Sequence, residues 1–173
     1  MRKLKLIMLF VMAGSLLTIT SCSSDDDGGN DGVAGSGTIT AKIEGVAFTS
    51  LEITSFAQLT SGGGQTTLVI QGNTTSQGIN IIVNGYDGVG TYKFTDSNVF
   101  VSATYIEPNI SNPTESKIWS APFQDSGNVG EIKISEETDT DIKGTFNFTA
   151  KNSKDDTTKS ITEGSFNLKK KTS

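Results

Sequence analysis

Gly144-Thr145-Phe146-Asn147-Phe148-Thr149-Ala150, followed after a polar break by Ile161-Thr162-Glu163-Gly164-Ser165-Phe166-Asn167-Leu168, is the stretch whose pattern decides the fold. Bulky apolar side chains recur at alternate positions, with polar or small ones between them. Successive side chains of a strand point to opposite faces, so this period of two predicts half-buried strands. Residues 130–135 carry Ile132 and Ile134 in the same way, and the connections at 136–140 and 152–156 are polar and short. Ile142, Phe146 and Phe148 then face inward together with Ile161, Phe166 and Leu168. The three segments are expected to form an antiparallel meander, with Gly164 marking a bulge in its last strand.

The same period extends toward the amino end. Ile39, Ala41 and Ile43 alternate with Thr38, Thr40, Lys42 and Glu44, and Val46 and Phe48 follow Gly45. Leu51, Ile53 and Phe56 suggest a further strand. Residues 68–70 and 79–83 are β-branched runs, apolar on both faces, which suits central strands. Asn84-Gly85-Tyr86-Asp87-Gly88-Val89-Gly90 has turn chemistry and is expected to join 79–83 to 91–94 as a hairpin. Val99, Val101, Ala103 and Tyr105 alternate again. Glycine precedes alternating bulky residues three times, at Gly90, Gly144 and Gly164, which reads as strand starts followed by core aromatics. No segment after residue 22 has a helical period. About ten short strands predict an all-β domain over residues 37–173, an antiparallel β-sandwich or small barrel, with a lipocalin-like up-and-down barrel as the alternative.

Residues 1–21 read as an address. Arg2, Lys3 and Lys5 precede an apolar run of 14 residues, 6–19, too short for a bilayer core that needs about 20 helical residues. Ile19-Thr20-Ser21-Cys22 resembles the lipobox of bacterial lipoproteins, which implies cleavage before Cys22 and acylation of its thiol. Each buried methylene of such a chain adds about 0.8 kcal/mol, so two or three chains hold a protein at a membrane almost permanently. Residues 22–36 follow, acidic and glycine-rich, unable to bury apolar surface and expected to act as a disordered tether reaching about 20 Å. Ser24, Asp25, Asp26 and Asp27 resemble the export signal of surface lipoproteins in Bacteroidetes-type bacteria. That resemblance implies an outer-membrane, lipid-anchored protein facing the cell exterior.

Composition closes off most chemistry. Removing residues 1–21 from the 173 leaves 152, enough for one domain. Three of the 14 basic residues leave with the signal, so 11 remain against 19 acidic ones, a net charge of −8. No attraction to nucleic acid is expected from that balance. Histidine is absent, and the single arginine, Arg2, departs with the signal. There is then no histidine-assisted nucleophile, no histidine metal ligand and no bidentate arginine clamp. No enzyme activity, cofactor or metal is expected. Glu136, Glu137, Asp139 and Asp141 place Lys143 where a calcium loop needs an acceptor, and they read as a solvated turn. Lys169, Lys170 and Lys171 read as an exposed strand end that discourages edge pairing.

Two places could carry a function. All three prolines, Pro108, Pro113 and Pro122, lie in the segment between Tyr105 and Asn128, with Trp119 and Phe123. Tyr105, Trp119 and Phe123 form a candidate ligand surface, because aromatic faces stack against sugar rings. The competing reading makes 118–120 an edge strand with Trp119 plugging the core. Asp156-Thr157-Thr158 resembles the O-glycosylation motif of Bacteroidetes-type bacteria and marks Thr157 as a candidate acceptor.

The whole layout resembles a family of uncharacterised Bacteroidetes lipoproteins: lipobox, tether, an opening strand at 39–44, a middle Gly90-Thr91-Tyr92, and the closing GTFNFTA and ITEGSF segments. The likeness covers most of residues 37–169, and its motifs are structural. It implies the compartment and the fold. The function expected is that of a non-catalytic binding module for a glycan or envelope protein, or else a structural, accessory envelope lipoprotein without a small-molecule ligand.

Overall fold

A computed structural model describes residues 34–171. The signal peptide, Cys22, and Ser24, Asp25, Asp26 and Asp27 lie outside the described residues. The spine is a long hairpin of β10 (Asp141–Lys151) and β11 (Thr158–Lys171), paired from Asp141↔Lys169 at its base to Lys151↔Thr158 at its tip. β9 (Asn128–Glu137) lies along β10, completing the expected antiparallel meander. Beyond β9 comes β6 (Gly90–Thr95). On the other side β11 carries β1 (Thr38–Ile43), and β1 carries β2 (Val46–Thr49).

A second run of strands closes the structure into a ring. It consists of β3 (Phe56–Gly62), β4 (Gln65–Asn73), β5 (Gly78–Asn84), β7 (Val101–Glu107) and β8 (Lys117–Ala121), paired in that order. Two seams attach it to the spine. Lys170↔Ala57 and Lys171↔Gln58 join β11 to β3 in parallel at the base, and Lys151↔Ser120 joins β10 to β8 near the tip. All other pairings are antiparallel. The domain is all-β, in the ring-like arrangement of a sandwich or small barrel. The strand order excludes an up-and-down barrel, in which sequential strands are neighbours throughout.

The core depends on a reciprocal exchange between the two spine strands. Gly144 stands opposite Phe166, and Phe146 stands opposite Gly164. A Cβ on Gly144 would come within 2.5 Å of the Phe166 ring, and one on Gly164 within 2.5 Å of the Phe146 ring. Each glycine is the seat for the other strand's phenylalanine, a pairing that restores the burial glycine alone lacks. The two rings stack at 6.4 Å, Phe148 stacks on Phe146 at 6.1 Å, and Phe94 meets Phe148 edge-on at 5.6 Å. Gly144 and Gly164 thus lie within strands rather than at their starts. The bulge falls one residue earlier than Gly164: Thr162 and Glu163 stand where β10 has only Asn147, and Glu163 takes φ 51°. Its carboxylate is held by Lys42 Nζ at 2.7 Å.

Four other expectations are corrected. Residues 84–90 do not close a hairpin, because both edges of β5 are already taken by β4 and β7. The segment instead carries the chain across to β9, with Tyr86 packed 5.6 Å from Tyr92. Leu51 and Ile53 do not belong to a strand: Glu52–Thr54 is a 3-10 turn, and Ile53 is 93% exposed. Lys170 and Lys171 are not a free edge but pair with β3. Packing also begins before residue 37, since Ala34 is buried and its N–H donates to Ser165 Oγ at 3.0 Å.

A polar latch ties the base together. Glu137 accepts from Tyr86 Oη at 2.7 Å and from Lys170 Nζ at 3.1 Å. Burial opposes its charge, but these two hydrogen bonds prevail and hold the carboxyl below its ordinary range. Burial and the bond to Glu137 hold the Tyr86 phenol above its own, so it remains a donor.

Phe146→Ala should lose about 3–5 kcal/mol in chemical denaturation, while exposed Asn147→Ala should change stability by less than about 0.5 kcal/mol. Gly164→Ala adds apolar surface yet should destabilise by about 1–3 kcal/mol, because the methyl displaces Phe146. Glu137→Gln gives a pH-dependent loss. A depressed carboxyl contributes stability above the unfolded pKa of about 4.3, and that contribution disappears as pH falls through the folded value. The gap between the native protein and Glu137→Gln should therefore be widest near neutrality and close in acid, as read from unfolding curves at successive pH values.

Candidate functional site

β8 alternates in the strict sense. Trp119 and Ala121 point into the core, while Ile118 and Ser120 point out. Trp119 lies directly opposite Tyr105 on β7, with ring centroids 5.5 Å apart. Both are buried, Tyr105 at 0% and Trp119 at 3% exposure. Their polar atoms are satisfied: Tyr105 Oη accepts from Gln77 at 2.8 Å and donates to Glu107 at 2.9 Å, and Trp119 Nε1 donates to Thr157 Oγ1 at 3.0 Å. Burial, and after it the bond to Glu107, raises the Tyr105 phenol above its ordinary pKa. Lys159 sits 5.3 Å from the Trp119 ring. The expectation of a ligand surface shared by Tyr105, Trp119 and Phe123 is corrected: the first two are core residues, and only Phe123 reaches an opening.

That opening is a cleft of about 450 Å³ between the outer face of β8 and the β10–β11 turn. Ser116, Ile118 and Ser120 form one wall, Phe123 and Gln124 a second, and residues 151–154 with Asp156 a third. Phe123 is half-buried and Ile118 is half-exposed. Lys151 Nζ pairs with Asp156 at 2.7 Å and lies 6.0 Å from the Phe123 ring. Lys154 Nζ reaches across to the Thr114 carbonyl at 3.5 Å.

Asn152 organises the turn. It is 3% exposed, its N–H donates to the Thr157 carbonyl at 2.8 Å, and its own carbonyl accepts from Asp156 N–H at 3.0 Å. Its Oδ1 accepts from Lys154 N–H at 2.8 Å. That bond orients the amide and leaves Nδ2 as a donor that makes no hydrogen bond among the described residues. Of the buried side-chain polar atoms among the described residues only Thr40 Oγ1 lacks a partner, so Asn152 Nδ2 reaches solvent, where the residue lines the cleft.

Thr157 is exposed as a residue but engaged at its hydroxyl. Oγ1 accepts from the Trp119 indole and donates to Asp155 Oδ1 at 2.6 Å. The Thr157 hydroxyl and then its amide hold the Asp155 carboxyl below the ordinary range. A sugar on Oγ1 would replace the hydrogen that Asp155 accepts. The cleft offers an aromatic face, amides, hydroxyls and ammonium groups, and its one carboxylate, Asp156, is already paired.

Thr157→Val removes the acceptor for the indole while keeping the shape. It should lower stability by about 1 kcal/mol in denaturation followed through Trp119, the single tryptophan, whereas Thr157→Ser should retain native stability.

No curated protein and no solved structure matches the chain. Residues 35–168 match the family described as a domain of unknown function, DUF6252, and with most of the sequence inside that match the protein belongs to this family.

Proposed function

We propose that the protein is a membrane-anchored binding module on the cell exterior, non-catalytic, which takes a glycan in the cleft between β8 and the β10–β11 turn. The observation that carries this reading is the cleft itself, where the Phe123 ring lies in the same lining as Asn152, whose solvent-reaching Nδ2 makes no hydrogen bond among the described residues. The cleft volume falls within the usual range for small-molecule sites, about 300–1,000 Å³. Phe123 supplies an apolar face of the kind sugar rings stack on, and Gln124, Ser120 and Ser153 supply hydroxyl and amide partners. Glycoside hydrolysis needs two carboxyl groups about 5–10 Å apart. The lining holds one, neutralised by Lys151, which favours binding over catalysis.

Position supports the same reading. The chain joins the domain beside Asn167, where Gly37 N–H meets its carbonyl, and the cleft lies past Thr158 at the hairpin tip. At about 3.3 Å per residue, the stretch of β11 between these points spans about 30 Å. An anchor at Cys22, with residues 22–33 as the link, holds the base toward the membrane and leaves the cleft pointing away.

The test has two arms. Cys22→Ala should move the protein from the membrane fraction to the soluble one, and replacing Asp25, Asp26 and Asp27 with alanine should protect it from protease added to intact cells. The soluble variant should be retained by an immobilised glycan panel, and Phe123→Ala should weaken retention at least about tenfold, the loss expected for a stacking contact worth about 1.4 kcal/mol. Failure to retain any glycan would leave an accessory envelope protein without a ligand as the better reading.

A further inference from the structure

Resting on that reading, we infer that the saccharide bound in the cleft carries a negative charge, a carboxylate or a sulfate, received by Lys154 with the Asn152 amide. The charges lining the cleft do not cancel. Lys151 and Asp156 neutralise each other at 2.7 Å. Lys154 has only the neutral Thr114 carbonyl at 3.5 Å, and no carboxylate lies within 4.0 Å of it among the described residues. The neighbouring Asp155 makes no ion pair with it, and its Oδ1 accepts from both the amide and the hydroxyl of Thr157. The residues lining the cleft thus carry two ammonium groups and one carboxylate, and the ammonium left without an ion pair is that of Lys154.

The polar groups left over in the turn have the matching sense. Asn152 Oδ1 accepts from Lys154 N–H, which orients the amide and leaves its Nδ2 hydrogens unbonded to protein among the described residues. The Lys154 ammonium and Asn152 Nδ2 are both donors. A neutral sugar hydroxyl satisfies such donors but leaves the ammonium uncompensated, whereas a carboxylate or sulfate satisfies both, and charge-assisted bonds are about twice as strong as neutral ones. With no arginine in the domain, recognition of the anion rests on a point charge rather than a bidentate fork.

Titration calorimetry on the mature chain carrying Cys22→Ala decides the matter with four probes: tetragalacturonate, its methyl ester, a sulfated galactan tetramer and the unsulfated tetramer. The acid or the sulfate, or both, should bind about tenfold more tightly than their neutral counterparts, and which one does so identifies the anion. Lys154→Gln, at an exposed position, should abolish that preference, bringing the charged probes to the affinity of their neutral counterparts. Lys169→Gln, at the base of the hairpin, should leave it intact. Equal affinity for charged and neutral probes, or a preference that survives Lys154→Gln, overturns the charge inference and leaves the glycan reading standing. Absence of binding to all four overturns both.

Discussion

The whole domain hangs on two phenylalanines that each occupy the space a side chain would fill on the opposite strand. Because Phe146 rests on Gly164 and Phe166 on Gly144, the register of β10 against β11 cannot shift without driving a ring into a backbone. A slip of one residue would also turn every inward side chain outward. With that register set, the positions where β1, β9, β3 and β8 join the spine follow, and with them the ring.

The same register reaches the cleft. The inward phase of β10 runs through Ile142, Gly144, Phe146, Phe148 and Ala150, all buried, and its next position is Asn152. The asparagine is therefore carried inside by the strand's alternation although it belongs to a turn. Its side chain then caps that turn rather than meeting another apolar layer. The cleft lining and the core are successive positions of one pattern.

That pattern was legible where packing alone set it. The meander, the opening β1 and the central β4 and β5 all follow from period-two burial. The role of the glycines did not, because the glycine-aromatic repeats read as three separate strand starts, and only pairing shows that two of them answer each other. Turn chemistry at 84–90 was correct in kind but said nothing of which strand the chain goes to next, since that depends on edges already occupied in space. Trp119 illustrates a different limit. An aromatic residue in a proline-rich segment fits a ligand surface or a core plug equally well, and strand alternation across 117–121 decides between them. Asn152 could have been found by extending the β10 phase by one step; Lys154 could not, since its lack of a carboxylate partner among the described residues is a property of the folded surroundings.

β11 is the last of the described strands and the most heavily shared, bonded to β10 along one edge and to β1 and then β3 along the other. Thr38 waits for Asn167, and β3 waits for Lys170. During synthesis β1 and β3 therefore lack these partners until β11 has emerged, and the ring stays open until then. Pairings so distant in sequence form slowly. What delays the fold is thus the order in which the strands are read out, and β11 is the strand that ends the delay.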